Sequence, residues 1–185
     1  QQLISLMVGR ELKDIYPPLN KNIGPVILEV ENLSSEKRFT NVSFQLHQGE
    51  ILGISGLMGA GRTELVETIF GFRKATSGRI KFRGEPVRIR KVKDAIRLKM
   101  ALVSEDRKLY GLNLKGSVKT NISLVDLDRL CVLGQLVNAR AEKTVVDEQI
   151  KKLGIKTPSR NQLVDALSGG NQQKVIIGRW LLTQP

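Results

Sequence analysis

Apolar positions along the chain fall into two periods, and the switches between them mark the elements. Val26–Val30 is rich in β-branched residues and predicts a strand. Val42–Leu46 alternates apolar and polar, the pattern of a half-buried strand. Ile51–Ser55 is a continuous apolar run, as in a strand covered on both faces. From Thr63 to Phe70 the spacing becomes helical and stops at Gly71. Arg79–Phe82 predicts a strand that runs into a turn at Arg83–Pro86, and residues 94–99 predict a short helix. Met100–Ser104 predicts a second doubly covered strand, and 105–116 a loop. Residues 139–153 read as a charged amphipathic helix ending at Gly154. Residues 168–182 form a last helix, with Ser168 as N-cap and Val175, Ile176, Trp180 and Leu181 on one face. Residues 1–25, broken by Pro17, Pro18, Gly24 and Pro25, predict a short helix and then a linker. Early strands, a strand–loop–helix and then helices indicate an α/β domain with a helical portion at its C-terminal end.

The 185 residues, 41% hydrophobic and 26% charged, suffice for a globular core. Lys and Arg number 30 against 18 Asp and Glu, a net charge of +12, which points to an anionic partner: nucleic acid, a phosphorylated ligand or a membrane surface. The excess concentrates between Arg73 and Lys108, with 13 Lys/Arg and 4 Asp/Glu. Aromatics are only 4% of the chain and do not interleave with those cations, so base stacking is unsupported and a solvated hairpin and helix is the expected reading. Cys131 alone excludes a disulfide framework and a Cys-rich zinc site, and fits a reducing compartment. No apolar run nears the roughly 18 residues of a membrane span. The chain begins at Gln1, as a piece of a longer product would.

The candidate chemistry lies in two glycine loops. Gly56-Leu57-Met58-Gly59-Ala60-Gly61-Arg62-Thr63 follows an apolar run and opens a helix. Glycines there let backbone N–H groups converge, and with the helix N-terminus they cradle an anion. Arg62 would face the β- and γ-phosphates, and the Thr63 hydroxyl suits Mg²⁺. The spacing is that of G-x-x-x-x-G-K-[ST] with Arg in place of Lys, and a planar fork is not a compact ammonium. Leu167-Ser168-Gly169-Gly170-Asn171-Gln172-Gln173-Lys174, about a hundred residues on, is again a glycine loop at a helix start. Taken singly, each also reads as a tight turn or a capped helix.

The pair, in this order and at this separation, resembles the nucleotide-binding domain of ABC transporters. Gly56–Thr63 looks like Walker A, and Leu167–Lys174 like the signature motif. The similarity is greatest to the second domain of the tandem ATPases of bacterial monosaccharide importers, of the ribose, galactose and xylose type. Met7–Glu11 and Ser104-Glu105-Asp106-Arg107-Lys108 carry it as well.

The resemblance implies a P-loop ABC domain with a core mixed sheet, an antiparallel β portion and a helical subdomain. Residues 1–25 would be the end of a preceding domain and a linker, and 26–185 a partial nucleotide-binding domain. It implies ATP and Mg²⁺ as cofactors, with Gly56, Leu57, Met58, Gly59, Ala60, Gly61, Arg62 and Thr63 on the nucleotide and Thr63 and Glu105 on the metal. Leu167, Ser168, Gly169, Gly170, Asn171 and Gln172 would complete the ATP site of a partner. The implied partners are a first ABC domain, transmembrane permease subunits and a sugar-binding protein across the membrane, with no nucleic acid expected. The implied place is the cytoplasmic face of the cell membrane. The family's Walker B strand, general base and switch His follow the signature helix, so the chain stops short of them at Pro185, and His47 lies too early to be the switch. Glu105 stands where the family offers a Gln. Phe39 is the one candidate near the adenine position, and a core-facing Phe is the expected reading. A weakened Walker A beside an intact signature implies that this domain's own site binds nucleotide but hydrolyses it poorly, while Ser168-Gly169-Gly170 completes the first domain's site. The chain alone is expected to hydrolyse ATP negligibly. The alternatives are a nucleic-acid-associated ABC-type ATPase fragment and a docking domain that binds no nucleotide. Cys131 is expected to be a structural thiol, and Trp180 a core residue.

Overall fold

The computed structural model describes residues 22–132 and 136–185. The helix and linker expected over 1–25, and the Met7–Glu11 motif, fall almost wholly outside them.

Two strands, β1 (Val26–Ser35) and β2 (Phe39–His47), form a long antiparallel hairpin. Its turn closes with Arg38 N donating to Ser35 O at 3.1 Å. The hairpin outruns both apolar patterns because Ser34 and Ser35 are buried and paired: Asn41 N donates to Ser34 Oγ at 3.0 Å, and Ser35 Oγ donates to Lys74 O at 3.2 Å. Helix α1 (Arg62–Ile69) follows, and β3 (Ser77–Phe82) then returns antiparallel to β1. A tight turn at Arg83-Gly84 leads to the short strand β4 (Glu85–Val87). The sheet order is β2-β1-β3-β4. Val30, Leu33, Phe39 and Ile80 meet Leu65 and Ile69 of α1 in the first core. Full burial of each such side chain is worth about 1.5–3 kcal/mol.

The second core is helical. After α2 (Val92–Arg97) come a single π-turn at Arg107–Gly111, then α3 (Val118–Ser123) and α4 (Leu127–Leu130). A two-residue pairing of β5 (Cys131–Val132) with β6 (Leu136–Val137) precedes α5 (Ala139–Leu153) and α6 (Gly169–Leu181). Asn138 caps α5 by accepting from Arg140 N and Ala141 N, and Gly154 ends it in the left-handed conformation at φ 56°. Val118, Ile122, Val146, Val164, Val175 and Ile176 are the centre of this core. Trp180 packs edge-on against Phe70 at 5.5 Å, which places it in the core as expected.

A polar hub absent from the pattern reading ties these helices together. The fully buried Asn121 accepts from Asn113 N at 2.8 Å and donates to Asn113 O at 2.8 Å and Ser117 O at 3.0 Å. Arg179, also buried, donates from Nε to Asn121 O at 2.8 Å and from Nη2 to Asn121 Oδ1 at 3.1 Å. Burial pushes the Arg179 guanidinium below its usual pKa.

Two expected strands do not form. Ile51–Ser55 is exposed and outside any strand, with Ile51 96% accessible, and Met100–Ser104 likewise joins no ladder. A doubly covered strand needs hydrogen-bonded neighbours as well as apolar side chains. No described strand lies beside either run, so among the described residues the only ladders are antiparallel. The core mixed sheet is accordingly reduced to its antiparallel portion.

Candidate nucleotide site

Residues 51–60 are exposed throughout, and Ala60 N donates to Leu57 O at 3.0 Å to turn the chain toward α1. Gly59 (φ 83°) and Gly61 (φ 79°) sit in the left-handed region that disfavours any residue with a Cβ. Gly61 is also the N-cap of α1, with Leu65 N donating to its carbonyl at 2.8 Å. No side chain caps the helix. Its first N–H groups are the donors that an anion satisfies. Behind the loop stands the β1–β2 turn: a Cβ on Gly61 would lie 2.6 Å from Arg38 O. Gly56 keeps the loop narrow, since a Cβ there would meet Ala60 Cβ at 3.1 Å and Arg62 Cδ at 3.5 Å. Leu57 and Met58 point away into solvent, 86% and 98% exposed.

Arg62 and Thr63, both exposed at the start of α1, line a cleft of about 440 Å³ with Ile54, Ser104 and Glu105. Thr63 and Glu105 also line an adjoining cleft of about 500 Å³ that contains Arg107, Lys108 and Tyr110. The fold thus brings together the hydroxyl, the cation and the carboxylate that lie some forty residues apart in sequence. Asp106, next to Glu105, is committed elsewhere: its Oδ1 accepts from Lys108 N at 2.9 Å and Leu109 N at 3.0 Å and caps the π-turn. Among the described residues no three His, Cys, Asp or Glu side chains cluster as a metal cage. Thr63 and Glu105 offer oxygen donors of the kind that Mg²⁺ takes beside phosphate oxygens and water. The residues present fit a nucleotide phosphate with its metal.

The second loop opens α6 with Ser168 at the N-cap position, but its side chain makes no capping bond to the helix backbone. Ser168 and Gly170 are exposed and Gly169 is half-buried. Ser168 Oγ accepts from Asn171 Nδ2 at 2.9 Å, and Asn171 Oδ1 accepts from Lys156 N at 2.9 Å. Leu167 belongs to the helical core, and the buried Gln172 donates to Val164 O at 3.1 Å. Those two side chains build the turn, whereas Ser168 and Gly170 are exposed and Gly169 and Asn171 are half-buried. The cleft at Arg62, Thr63 and Glu105 includes none of them.

Arg107 spans the gap. A Cβ on Gly169 would lie 2.8 Å from Arg107 Nη2, so the guanidinium is seated on that glycine. At the other end of the π-turn a Cβ on Gly111 would lie 2.8 Å from Ile176 Cδ1. The segment carrying Glu105 is fastened to α6 at both points. Sequence pattern gave no sign of this, because the two glycines matter only once the segments touch.

Phe39 is 9% exposed and faces the first core, as expected. His47 ends β2 and is half-buried, with Nδ1 3.1 Å from Glu50 Oε2. Cys131 is a half-buried free thiol at the start of β5.

A family model described as ABC transporter matches residues 39–185. The chain belongs to the ABC transporter family. Over its full length it is 49% identical to the galactose/methyl galactoside import ATP-binding protein MglA 1 of Photobacterium profundum, covering 37% of that protein. It is 43% identical to the ribose import ATP-binding protein RbsA of Bacillus cereus, again covering 37%. The chain thus spans a little over a third of the length of the curated relatives it matches. Among solved structures, cbiO1 from Clostridium perfringens superimposes with a TM-score of 0.64 at 23% identity, covering 86% of this chain and 62% of that one. The ATP-binding cassette MJ0796, solved with ADP and Pi, gives 0.65 at 19% identity, covering 86% and 71%. These likenesses establish the ABC ATPase fold, an α/β P-loop architecture, for the chain.

Proposed function

We propose that this ABC domain is part of the ATP-binding subunit of a bacterial carbohydrate importer, and that it binds Mg-ATP between Gly56–Thr63 and Glu105. The observation that carries the reading is the single cleft shared by Arg62, Thr63 and Glu105. The relatives' names, galactose/methyl galactoside and ribose import ATP-binding proteins, supply the substrate class. Residues 1–25 are then the end of a preceding domain and its linker. The working partners are a first ABC domain, permease subunits and a sugar-binding protein, at the cytoplasmic face of the membrane. No helix among the described residues is long and apolar enough to cross a membrane.

Bound Mg-ATP supplies the transferable phosphoryl group; the chain's own residues hold and orient it. Backbone N–H groups of the loop and of α1 cradle the phosphates, Arg62 adds positive charge, and Thr63 offers a hydroxyl to the metal. The Glu105 carboxylate would also be a ligand for the metal, but it would add negative charge where the phosphates already concentrate it. With Arg62 in the lysine position, this site binds nucleotide and hydrolyses it poorly. Ser168, Gly169 and Gly170 instead complete the site of the first ABC domain.

Isothermal titration of Mg-ATP into the purified chain tests the site, with Arg62→Ala and a non-nucleotide polyanion as controls. Saturable binding lost in the variant is expected. No binding to a chain that is folded by circular dichroism would refute the reading. In the complete importer, altering Ser168 should lower turnover more than altering Arg62; equal losses would refute the asymmetry.

A further inference from the structure

The cations between Arg73 and Lys108 are not spread evenly. Strand β4 accompanies β3 only over Ile80–Phe82, so Ser77, Gly78 and Arg79 have no strand beside them on that edge among the described residues. Beyond Val87 the chain diverges toward α2, pinned where Arg90 N and Lys91 N donate to Asp94 Oδ2 at 3.1 and 3.2 Å. A groove of about 590 Å³ lies between the open edge of β3 and this diverging segment. Its floor is apolar, with Leu33, Ile80 and Val87. Its rim carries Lys74, Arg79, Arg88 and Arg90, and no carboxylate lines it. Among the described residues none of these four cations is in an ion pair. Glu31 sits opposite Arg79 in the β1–β3 register, but its carboxylate holds Lys81 Nζ at 2.5 Å.

We propose that this groove is a docking site for an extended acidic peptide segment that adds as a strand to the open edge of β3. An unpaired edge offers backbone donors and acceptors to another chain. Successive residues of an added strand point to opposite sides. A segment alternating apolar and acidic residues therefore sets its apolar side chains on the floor and its carboxylates against the four rim cations. The groove selects against the two other anionic surfaces. Leu33 and Ile80 are recessed, 1% and 8% exposed, so they cannot enter a bilayer. No aromatic lines the groove to stack on a base, and an apolar floor gains nothing from a phosphate backbone. This site is independent of the nucleotide cleft.

The test is fluorescence anisotropy of the purified chain with a short labelled peptide alternating Glu and Val. The comparison probes are the same composition in block order, the alternating peptide N-methylated at every second residue, a short DNA duplex, and phosphatidylglycerol vesicles. Saturable binding with Kd on the order of 10–100 μM is expected for the alternating peptide, weakened about tenfold or more in Arg79→Glu/Arg88→Glu, because close charge pairs set such interfaces. All four rim cations are exposed, so Lys74→Glu/Arg90→Glu serves as a second variant with an unchanged circular dichroism melt as the folding check. Equal binding of the block or N-methylated peptide would reduce the site to unspecific charge and overturn the proposal. Tighter binding of duplex or vesicles, or no peptide binding at all, would overturn it too.

Discussion

Gly59 and Gly61 have nearly the same backbone, φ 83° and 79°, yet they stand in different surroundings. Replacing each with Ala separates the cost of the conformation from the cost of the contact. A Cβ on Gly59 would meet nothing within 4 Å. That variant bears only the left-handed penalty of about 1–2 kcal/mol, partly offset because Ala also restricts the unfolded chain. On Gly61 the Cβ would lie 2.6 Å from Arg38 O and 3.3 Å from Phe39 Cβ. The carbonyl is backbone, in a turn held by the Arg38–Ser35 hydrogen bond, so it cannot swing aside as a long side chain would. Relieving such overpacking costs about 1–3 kcal/mol more, for a total of about 2–5. With a urea slope of about 2 kcal/mol/M, the midpoint falls about 0.5 M for Gly59→Ala and about 1–2.5 M for Gly61→Ala. Equal midpoints, or the reverse order, would show that the loop does not rest on the β1–β2 turn as described. Mg-ATP titration of the folded Gly59→Ala variant gives the functional arm. A methyl on the open face of the cradle is expected to weaken binding while the variant, despite its lower midpoint, stays folded.

Arg179→Met keeps most of the buried stem, whereas Arg179→Ala also leaves a cavity, so the Ala variant is expected to be less stable by about 2 kcal/mol in urea titration; a difference below about 0.5 would show that the stem packs loosely. Glu50 accepts His47 N at 2.8 Å, and Glu29 accepts Gln45 Nε2 at 2.6 Å and Lys81 Nζ at 3.0 Å, and these bonds hold both carboxyls below the usual range. Depressed folded-state values contribute stability above the unfolded pKa and lose it as pH falls through the folded one. The urea midpoint should therefore drop below about pH 4.3 and drop less in Glu29→Gln/Glu50→Gln; an identical acid profile would count against it. Gly154→Ala, with only Lys174 Nζ near its added Cβ at 3.8 Å, should cost about 1 kcal/mol for the left-handed cap alone, measured by thermal melt. Arg107→Ala should raise hydrogen exchange over residues 168–172 by freeing the turn from its guanidinium seat, and unchanged exchange would dismiss that contact as incidental.

What could be read from the chain itself was what local chemistry decides. Helix α5 was legible to the residue because a helix-period stripe ends at a glycine that supplies the αL cap. Helices α1 and α6 were readable to within a residue from helical spacing, the hairpin strands from β-branched and alternating positions although β1 runs five residues past its pattern, and both glycine loops announced themselves by spacing. Tertiary structure decided the rest. The apolar runs at 51–55 and 100–104 carry the composition of buried strands, but a ladder depends on a neighbour, which composition cannot provide. Asn121 and Arg179 look like surface residues in a pattern and are buried because each satisfies the other. Glu105 came to share a cleft with Thr63, and Arg107 to sit on Gly169, only through tertiary packing. Periodicity reports which face of an element avoids water. Which elements then share a cleft depends on contacts between residues far apart in the chain, and no local pattern encodes those.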